Sequence, residues 1–206
     1  TVTGSQTAVG ESDNTFTYEF NEGTNAADYL VTSKYGKLIV TADDSEVVVT
    51  ITEHSDSFAY DGTEKTVEGY DFAASNPLYT QADFEFSGDA TVSGTDAGTY
   101  DMELKADDFK NTSASFSKVT FVVVDGALTI TPKGIEPTED NGMTVDTLPD
   151  VVYNGTEQAQ KPVVKDGDKS LVEGEDYELS YSADVSNAGT VTVTVTGKGN
   201  YAGTAQ

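Results

Sequence analysis

The sequence contains no cysteine and no tryptophan, and only 11 lysine or arginine residues stand against 36 aspartate or glutamate residues. Disulfide bonds and thiolate chemistry are therefore excluded. The formal net charge is −25, so the chain is not expected to bind nucleic acid, because phosphate contacts need lysine and arginine. No apolar run approaches the roughly 20 residues that span a membrane, so membrane insertion is not expected.

The side chains that usually carry catalysis are also scarce. His54 is the only histidine. Because the residues that usually support a catalytic histidine are not evident around it, we do not expect a nucleophile that is activated by a histidine base. Acidic residues occur along the whole chain, so their abundance does not indicate the paired carboxylates of a glycosidase. The sequence therefore predicts a protein that is not an enzyme.

What the chain does contain is an internal repeat, which is marked first by a Tyr-x-Gly-Thr-Glu turn. Tyr60 and Gly62 belong to the heptamer YDGTEKT, and Tyr153 and Gly155 to YNGTEQA; the two glycines are 93 residues apart. Asp-Gly and Asn-Gly are strong hairpin signals because both central residues tolerate positive φ. We therefore predict a hairpin corner at each heptamer, with its tyrosine buried beneath the turn.

Two further markers recur with almost the same period. Gly98 and Gly189, each in an Ala-Gly-Thr turn, are 91 residues apart, and Gly10 is an earlier glycine in a Val-Gly turn. A closing strand with Leu38, in GKLIVT, returns with Leu128, in GALTITP, 90 residues later. The sequence is accordingly divided into a first repeat (1–43), which is a closing half packed on the next repeat, a complete middle repeat (44–133), and a last repeat (134–206) that lacks its closing strand.

The regular segments are rich in Thr, Val, Tyr and Phe, which favours strands over helices. Alternation of apolar and polar residues places one set of side chains on a single face. Two runs, 46–52 and 118–124, are so continuously apolar that we expect burial on both sides. Further strands are predicted at 15–20, 36–41, 126–132, 176–182 and 190–196. The segment 132–142 has two prolines and two glycines and is predicted to be a short, stiff linker.

Three stretches carry a resemblance to a known family. They read YDGTEKT…GTDAGTYDMELKADDF…GALTITP in the middle repeat, YNGTEQAQKP…LVEGEDYELSYSADVSNAGTVTVTVTGKGNYAGT in the last, and TGSQTAVGESDNTFTYEFNEGTNAADYLVTSKYGKLIVT in the first. Together they resemble the tandem all-β repeats of bacterial surface adhesins, the MBG family of Y-x-G type. This resemblance implies a secreted protein of the bacterial cell surface, wall-attached at full length, in which neighbouring repeats are the partners.

The fold class predicted is all-β, with tandem antiparallel modules. DAGTY at 96–100 resembles the tyrosine-corner region of immunoglobulin-like domains, but the corresponding residues are Ser12 in the first repeat and Val191 in the last. An immunoglobulin-like sandwich is therefore one alternative and a β-grasp-like arrangement the other. Because the chain starts within an evident pattern, we interpret it as a fragment of a longer protein.

Two functions from different classes fit the sequence. One is a structural stalk module of a surface adhesin. The other is a binding module for a host glycan or glycoprotein, with Tyr70, Tyr79 and Tyr201 as the candidate contact residues. No cofactor is predicted, although carboxylates at the repeat boundaries could share a calcium ion. The weak candidates for that metal site are Asp43, Asp44, Glu46, Glu139 and Asp140.

Overall fold

The computed structural model describes all residues 1–206 and is built almost wholly of short β-strands. Three one-turn 3₁₀ helices, Ala26–Asp28, Gln81–Asp83 and Ala106–Asp108, are the only helical elements. The all-β class predicted from the sequence is confirmed, and the several sheets are consistent with a sandwich. The strands are β1 (Gly10–Asn14), β2 (Gly36–Val40), β3 (Val47–Glu53), β4 (Asp56–Ala59), β5 (Lys65–Glu68), β6 (Tyr70–Ala74), β7 (Phe84–Phe86), β8 (Thr91–Gly94), β9 (Gly98–Asp101), β10 (Phe109–Asn111), β11 (Val119–Val124), β12 (Ala127–Thr131), β13 (Lys133–Gly134), β14 (Met143–Val145), β15 (Val164–Asp166), β16 (Lys169–Ser170), β17 (Tyr177–Tyr181), β18 (Val193–Gly197), β19 (Tyr201–Ala202) and β20 (Thr204–Ala205).

The chain divides into two compact units. The division into three repeats stays a prediction, because the units reflect spatial compactness and not the sequence period. Unit 1 comprises Thr1–Thr52, Asp71–Asp89 and Leu104–Val124, and unit 2 comprises Glu53–Tyr70, Ala90–Glu103 and Asp125–Gln206.

The main sheet of unit 1 has β3 at its centre, between β11 and β6. Val47, Val49 and Ile51 alternate along β3 and are at most 1% exposed, as the period of two in a strand requires. β11 runs parallel to β3, with Val119 opposite Val47. Parallel pairing needs a long connection, and here most of the middle repeat lies between the two strands.

Aromatic rings fill the core of unit 1. The ring of Phe84 lies 5.6 Å from that of Phe72, 6.0 Å from Phe109 and 5.5 Å from Phe121, centroid to centroid. These edge-to-face contacts are favourable beyond the apolar area that they bury. The hydroxyl of Tyr79 donates to the Asp83 carbonyl at 3.1 Å, and burial raises the Tyr79 pKa to about 12.

Residues of the first repeat form a small sheet of β1 and β2 within unit 1. The chain then joins the segment before β11, where the Asp43 N–H donates to the Ser115 carbonyl at 2.8 Å and the Ser117 N–H donates to the Asp43 carbonyl at 3.0 Å. These two bonds tie the end of the first repeat to the middle repeat.

The main sheet of unit 2 has β12 at its centre. β12 pairs with β4 in parallel and with β9 in antiparallel orientation. Leu128 and Ile130 of β12 are at most 2% exposed and anchor this sheet in the core. The hydroxyl of Tyr100 in β9 donates to the Asp96 carbonyl at 2.9 Å, which is the type of bond that a tyrosine corner makes.

The rest of unit 2 is formed by the last repeat. It contains the pair β13–β19 and the three-stranded sheets β14–β15–β16 and β17–β18–β20. β5 and β8 of the middle repeat also pair in this unit. Val164, Val195 and Tyr201 are at most 2% exposed and form its core.

Three strand predictions differ from the structure. In the predicted strand 15–20 only Phe16 pairs, in a single bridge with Val2; the aromatic side chains there contact one another and no ladder forms. β11 is half-buried on one side and exposed on the other, where Val122 and Val124 are 43% and 46% exposed. The strand predicted at 190–196 begins at Val193, because the residues before it have no pairing strand.

None of the helical segments is long and apolar enough to pass through a membrane.

Candidate functional site

The two Tyr-x-Gly-Thr heptamers adopt the same local structure. In the first, Gly62 has φ 78°, and the side chain of Asp61 accepts hydrogen bonds from the Thr63 N–H at 2.9 Å and the Thr63 hydroxyl at 2.6 Å. Lys65 donates to the same carboxylate at 2.6 Å. These hydrogen bonds, from Lys65 first and then from Thr63, hold the pKa of Asp61 far below its ordinary value.

In the second heptamer, Gly155 has φ 79°. Asn154 replaces the aspartate, and its side-chain oxygen accepts from the Thr156 N–H at 2.9 Å and from the Thr156 hydroxyl at 2.7 Å. A side chain that bonds to the backbone two residues on is a known turn-former for Asp and Asn. The turn is therefore stabilised by the side chain of the residue before glycine, whether that residue is aspartate or asparagine.

The predicted hairpin at these turns is wrong. Neither Asp61 nor Asn154 has positive φ, so the two-residue hairpin geometry is absent. The strands that flank the first turn pair elsewhere, β4 with β12 and β5 with β8. The side-chain hydrogen bonds of Asp61 and Asn154 close each turn without requiring the flanking segments to meet.

Burial separates the two tyrosines. Tyr60 is 8% exposed, as predicted, whereas Tyr153 is 60% exposed, so the prediction is wrong for Tyr153. Tyr60 is covered because its ring meets that of Tyr201 edge-on, with 5.6 Å between centroids. The local turn is thus the same in both heptamers, and the residues that pack against the tyrosine decide whether it is buried.

A specific joint connects the middle repeat to the last repeat next to this tyrosine pair. Asn200 accepts from the Ala97 N–H at 2.6 Å and donates to the Asp96 carboxylate at 2.8 Å. Both contacted residues directly precede Gly98, the first residue of β9. Its counterpart Gly189 lies outside the strands, four residues before β18. Sequence reasoning missed Asn200, because its partners Ala97 and Asp96 are more than 100 residues away in sequence.

The predicted linker is held by side chains and is not a free coil. Asn141 donates to the carbonyls of Gly134 at 3.2 Å and Glu136 at 2.7 Å, and it accepts from the N–H groups of Thr138 and Met143, each at 3.0 Å. No pattern in the sequence indicates this role for Asn141.

The start of the linker also pairs with the last repeat. The Ile135 N–H donates to the Ala202 carbonyl at 2.8 Å, and the Ile135 side chain is fully buried. Lys133 forms an ion pair with Asp166 at 2.5 Å, and the same carboxylate accepts from the Tyr201 hydroxyl at 3.2 Å.

The family model of the MBG domain matches residues 47–132. This segment is similar to the MBG domain family. Its matched range begins at the first residue of β3 and ends just after β12, so the family resemblance of the middle repeat is confirmed. No curated protein and no solved structure matches the chain.

The candidate calcium ligands lie just before the segment that matches the MBG model and in the linker after it. The Asp43 carboxylate accepts from the Ser45 N–H at 2.9 Å, a bond that lowers its pKa. Glu46 accepts from the Thr120 hydroxyl at 3.0 Å. Asp44, Glu139 and Asp140 are exposed. In residues 1–206, no three His, Cys, Asp or Glu side chains come together in a way that could hold a metal ion.

Two of the three aromatic residues predicted as glycan contacts are buried. Tyr79 is 3% exposed and Tyr201 is 2% exposed, while Tyr70 is half-buried. Tyr79 and Tyr201 lie in the core, where their rings have aromatic neighbours: Tyr79 meets Phe116 at 5.6 Å and Tyr201 meets Tyr60.

Exposed aromatic residues occur instead in the first repeat. Phe20 lies 5.7 Å from Tyr18 and 5.8 Å from Tyr29, between ring centroids. A second pair, Phe16 and Tyr35, has its centroids 5.5 Å apart. All five rings are between 37% and 61% exposed. Clustered aromatic side chains in solvent are unusual in a soluble domain and often mark a binding surface.

Proposed function

We propose that the chain is a structural repeat module of a bacterial cell-surface adhesin and has no enzymatic activity. MBG domains are found in extracellular surface proteins, which supports this location. In the full-length protein the module is attached to the cell wall, and neighbouring repeats of the same protein are its partners.

The observation that carries this proposal is the joint made by Asn200. Its side chain connects the last repeat to the turn at Asp96 and Ala97 through two hydrogen bonds. Tyr201, the next residue, stacks edge-on against Tyr60. A structural module that sets the spacing within a surface protein needs fixed connections between its repeats, because a flexible linker would leave the distance between repeats undefined.

Pulling on the two ends of the chain in an optical trap tests this function. We expect the wild type to unfold in cooperative steps, and the Asn200→Ala variant to lose the contact between repeats at lower force. Forced unfolding reports the unfolding rate, so removing a contact that holds the joint lowers the force. Equal force traces for the two proteins would count against a joint that resists force and against the structural role.

A second candidate function is the binding of a host glycan or glycoprotein, and the exposed aromatic residues of the first repeat favour it. Sugar rings stack on aromatic faces, and Tyr29 at 61% exposure offers such a face. The test is retention of the chain on immobilised mucin and on a glycan array. Tyr29→Ala should weaken retention, whereas Tyr153→Ala, at 60% exposure, should leave it unchanged. Equal retention of both variants would rule out this surface.

A further inference from the structure

Two asparagines of the chain are followed directly by glycine, Asn141 before Gly142 and Asn154 before Gly155. In such a pair the backbone nitrogen of the glycine can approach the side-chain amide of the asparagine closely, because glycine has no Cβ to hinder it. Attack of that nitrogen on the amide carbon Cγ closes a succinimide ring and releases ammonia. The two sites share this dipeptide but differ in their surroundings.

The amide oxygen of Asn154 is held by two donors. Asn154 is exposed and lies outside the strands, and its Oδ1 accepts from the Thr156 N–H at 2.9 Å and from the Thr156 hydroxyl at 2.7 Å. Negative charge develops on this same oxygen when the Gly155 nitrogen attacks Cγ, and donors at these distances stabilise such a charge. The hydrogen bonds that close the turn therefore also favour the first step of the reaction.

The amide nitrogen of Asn154, by contrast, is free to leave. Its Nδ2 donates no hydrogen bond within the chain, and the Gly155 N–H has no acceptor there either. Both groups are exposed, so water can take the proton from the Gly155 nitrogen and supply one to the departing amide nitrogen. No protein contact has to break for ammonia to leave.

Asn141 is held at both ends of its amide. Its Oδ1 accepts from the N–H groups of Thr138 and Met143, each at 3.0 Å. Its Nδ2 donates to the carbonyls of Gly134 at 3.2 Å and Glu136 at 2.7 Å. Loss of ammonia from Asn141 breaks both bonds of Nδ2, so the fold opposes at this site the reaction that it favours at the other.

We propose that Asn154 is a site of spontaneous deamidation and that the fold protects Asn141. In the first step the bond between the Gly155 nitrogen and the Asn154 Cγ forms, the Cγ–Nδ2 bond breaks, and the nitrogen leaves as ammonia with protons relayed by water. In the second step a water molecule opens the succinimide at either of its two carbonyl carbons, which gives aspartate or isoaspartate. This inference goes beyond the structural role proposed above and does not depend on it.

The two products affect the turn differently. Aspartate is the residue that the first heptamer already carries, where the Asp61 carboxylate accepts the same two hydrogen bonds from Thr63. The aspartate product therefore keeps the turn and adds one negative charge. Isoaspartate inserts an extra carbon atom into the main chain, which moves the free carboxylate and opens the turn.

Ageing the purified chain at neutral pH and following both sites by peptide mapping with mass spectrometry tests the proposal. We expect Asn154 to convert at least about tenfold faster than Asn141, because only Asn141 must break two hydrogen bonds of its leaving nitrogen. In concentrated urea the two rates should come within about threefold of each other, since both sites are then Asn-Gly pairs in an unfolded chain. Equal rates in the folded chain, or the same preference in urea, would overturn the proposal.

A matched pair of threonine variants tests the stabilisation of the oxygen. Thr156→Val removes the hydroxyl donor, keeps the N–H, and should slow the conversion of Asn154 about threefold or more. Thr138→Val is the control, because only the N–H of Thr138 contacts Asn141, and it should leave both rates unchanged. Circular dichroism checks that both variants fold. An unchanged or faster conversion in Thr156→Val would overturn the role of this hydroxyl.

The Asn154→Asp variant supplies the aspartate product directly. Its thermal midpoint should match that of the unaged wild type, since aspartate forms the same turn in the first heptamer. A clearly lower midpoint would contradict the conclusion that this product keeps the turn. None of these results depends on the force measurements that test the structural role.

Discussion

The rings of Tyr60 and Tyr201 meet edge-on, with 5.6 Å between their centroids and 77° between their planes. The residues are far apart in sequence and come from the middle and the last repeat. Both rings are almost fully buried, and each ring covers part of the other. This contact makes the stability of one repeat depend on the next.

Replacing Tyr60 by alanine should therefore lower the free energy of unfolding by about 3 kcal/mol or more, because a buried aromatic side chain is lost and a cavity remains. Tyr153→Ala is the matched control. It sits in the same local turn but is 60% exposed, and its effect should stay within about 0.5 kcal/mol. Urea denaturation of both variants measures the difference. Similar losses would show that the turn, and not the ring contact, sets the stability.

Asn200→Ala should destabilise the chain by about 1–3 kcal/mol, because it leaves the Ala97 N–H and the Asp96 carboxylate without this partner. Asn187→Ala is the control, since that side chain is exposed and makes no hydrogen bond. A double-mutant cycle with Asp96→Ala isolates the contact across the joint. A coupling energy near zero in that cycle would contradict the assignment.

Gly126→Ala should be strongly destabilising. A Cβ at this position would meet the backbone oxygens of Glu53 and His54, that of Glu53 at 2.7 Å. The Gly126 N–H also donates to the buried Glu53 carboxylate at 2.7 Å, so the loop cannot move away freely. Gly134→Ala, where a Cβ meets nothing within 4 Å, should be neutral or slightly stabilising. Equal melting temperatures for the two variants would disprove this close approach.

Asp61→Asn should make the chain less sensitive to acid. The folded-state pKa of Asp61 is lowered by Lys65 and Thr63, so its contribution to stability is present above the ordinary value of about 3.9 and is lost as pH falls below it. Asparagine forms the same turn in the other heptamer, so the variant should fold normally at pH 7. Thermal midpoints recorded from pH 7 down to pH 2 should fall more for the wild type than for the variant. Parallel curves would show that Asp61 does not contribute.

The strand positions were predicted well where β-branched residues form long runs. Predicted strand 46–52 is β3 at 47–53, and predicted strand 118–124 is β11 at 119–124. The parallel pairing of these strands could not be predicted. Alternation of apolar and polar residues shows which side chains of a strand share a face, but it does not show which other strand lies beside that strand.

The candidate site shows the same limit. The repeat of the heptamer located both turns, and their common conformation follows from the Asp or Asn before each glycine. The different burial of Tyr60 and Tyr153 could not be read from the heptamers, because it is decided by Tyr201, which is distant in sequence from Tyr60. Asn141 and Asn200 were missed for the same reason: their partners are set by the fold.

The parallel pairing of β3 with β11 also constrains the order in which the segment 47–132 can form. Val47 faces Val119, so one edge of β3 has no partner until the last strands exist, whereas β6 can pair with the other edge earlier. Closing so large a loop costs chain entropy before any contact forms, and folding dominated by distant pairings is slow. The main sheet around β3 therefore remains incomplete until β11, near the end of this segment, is available to pair.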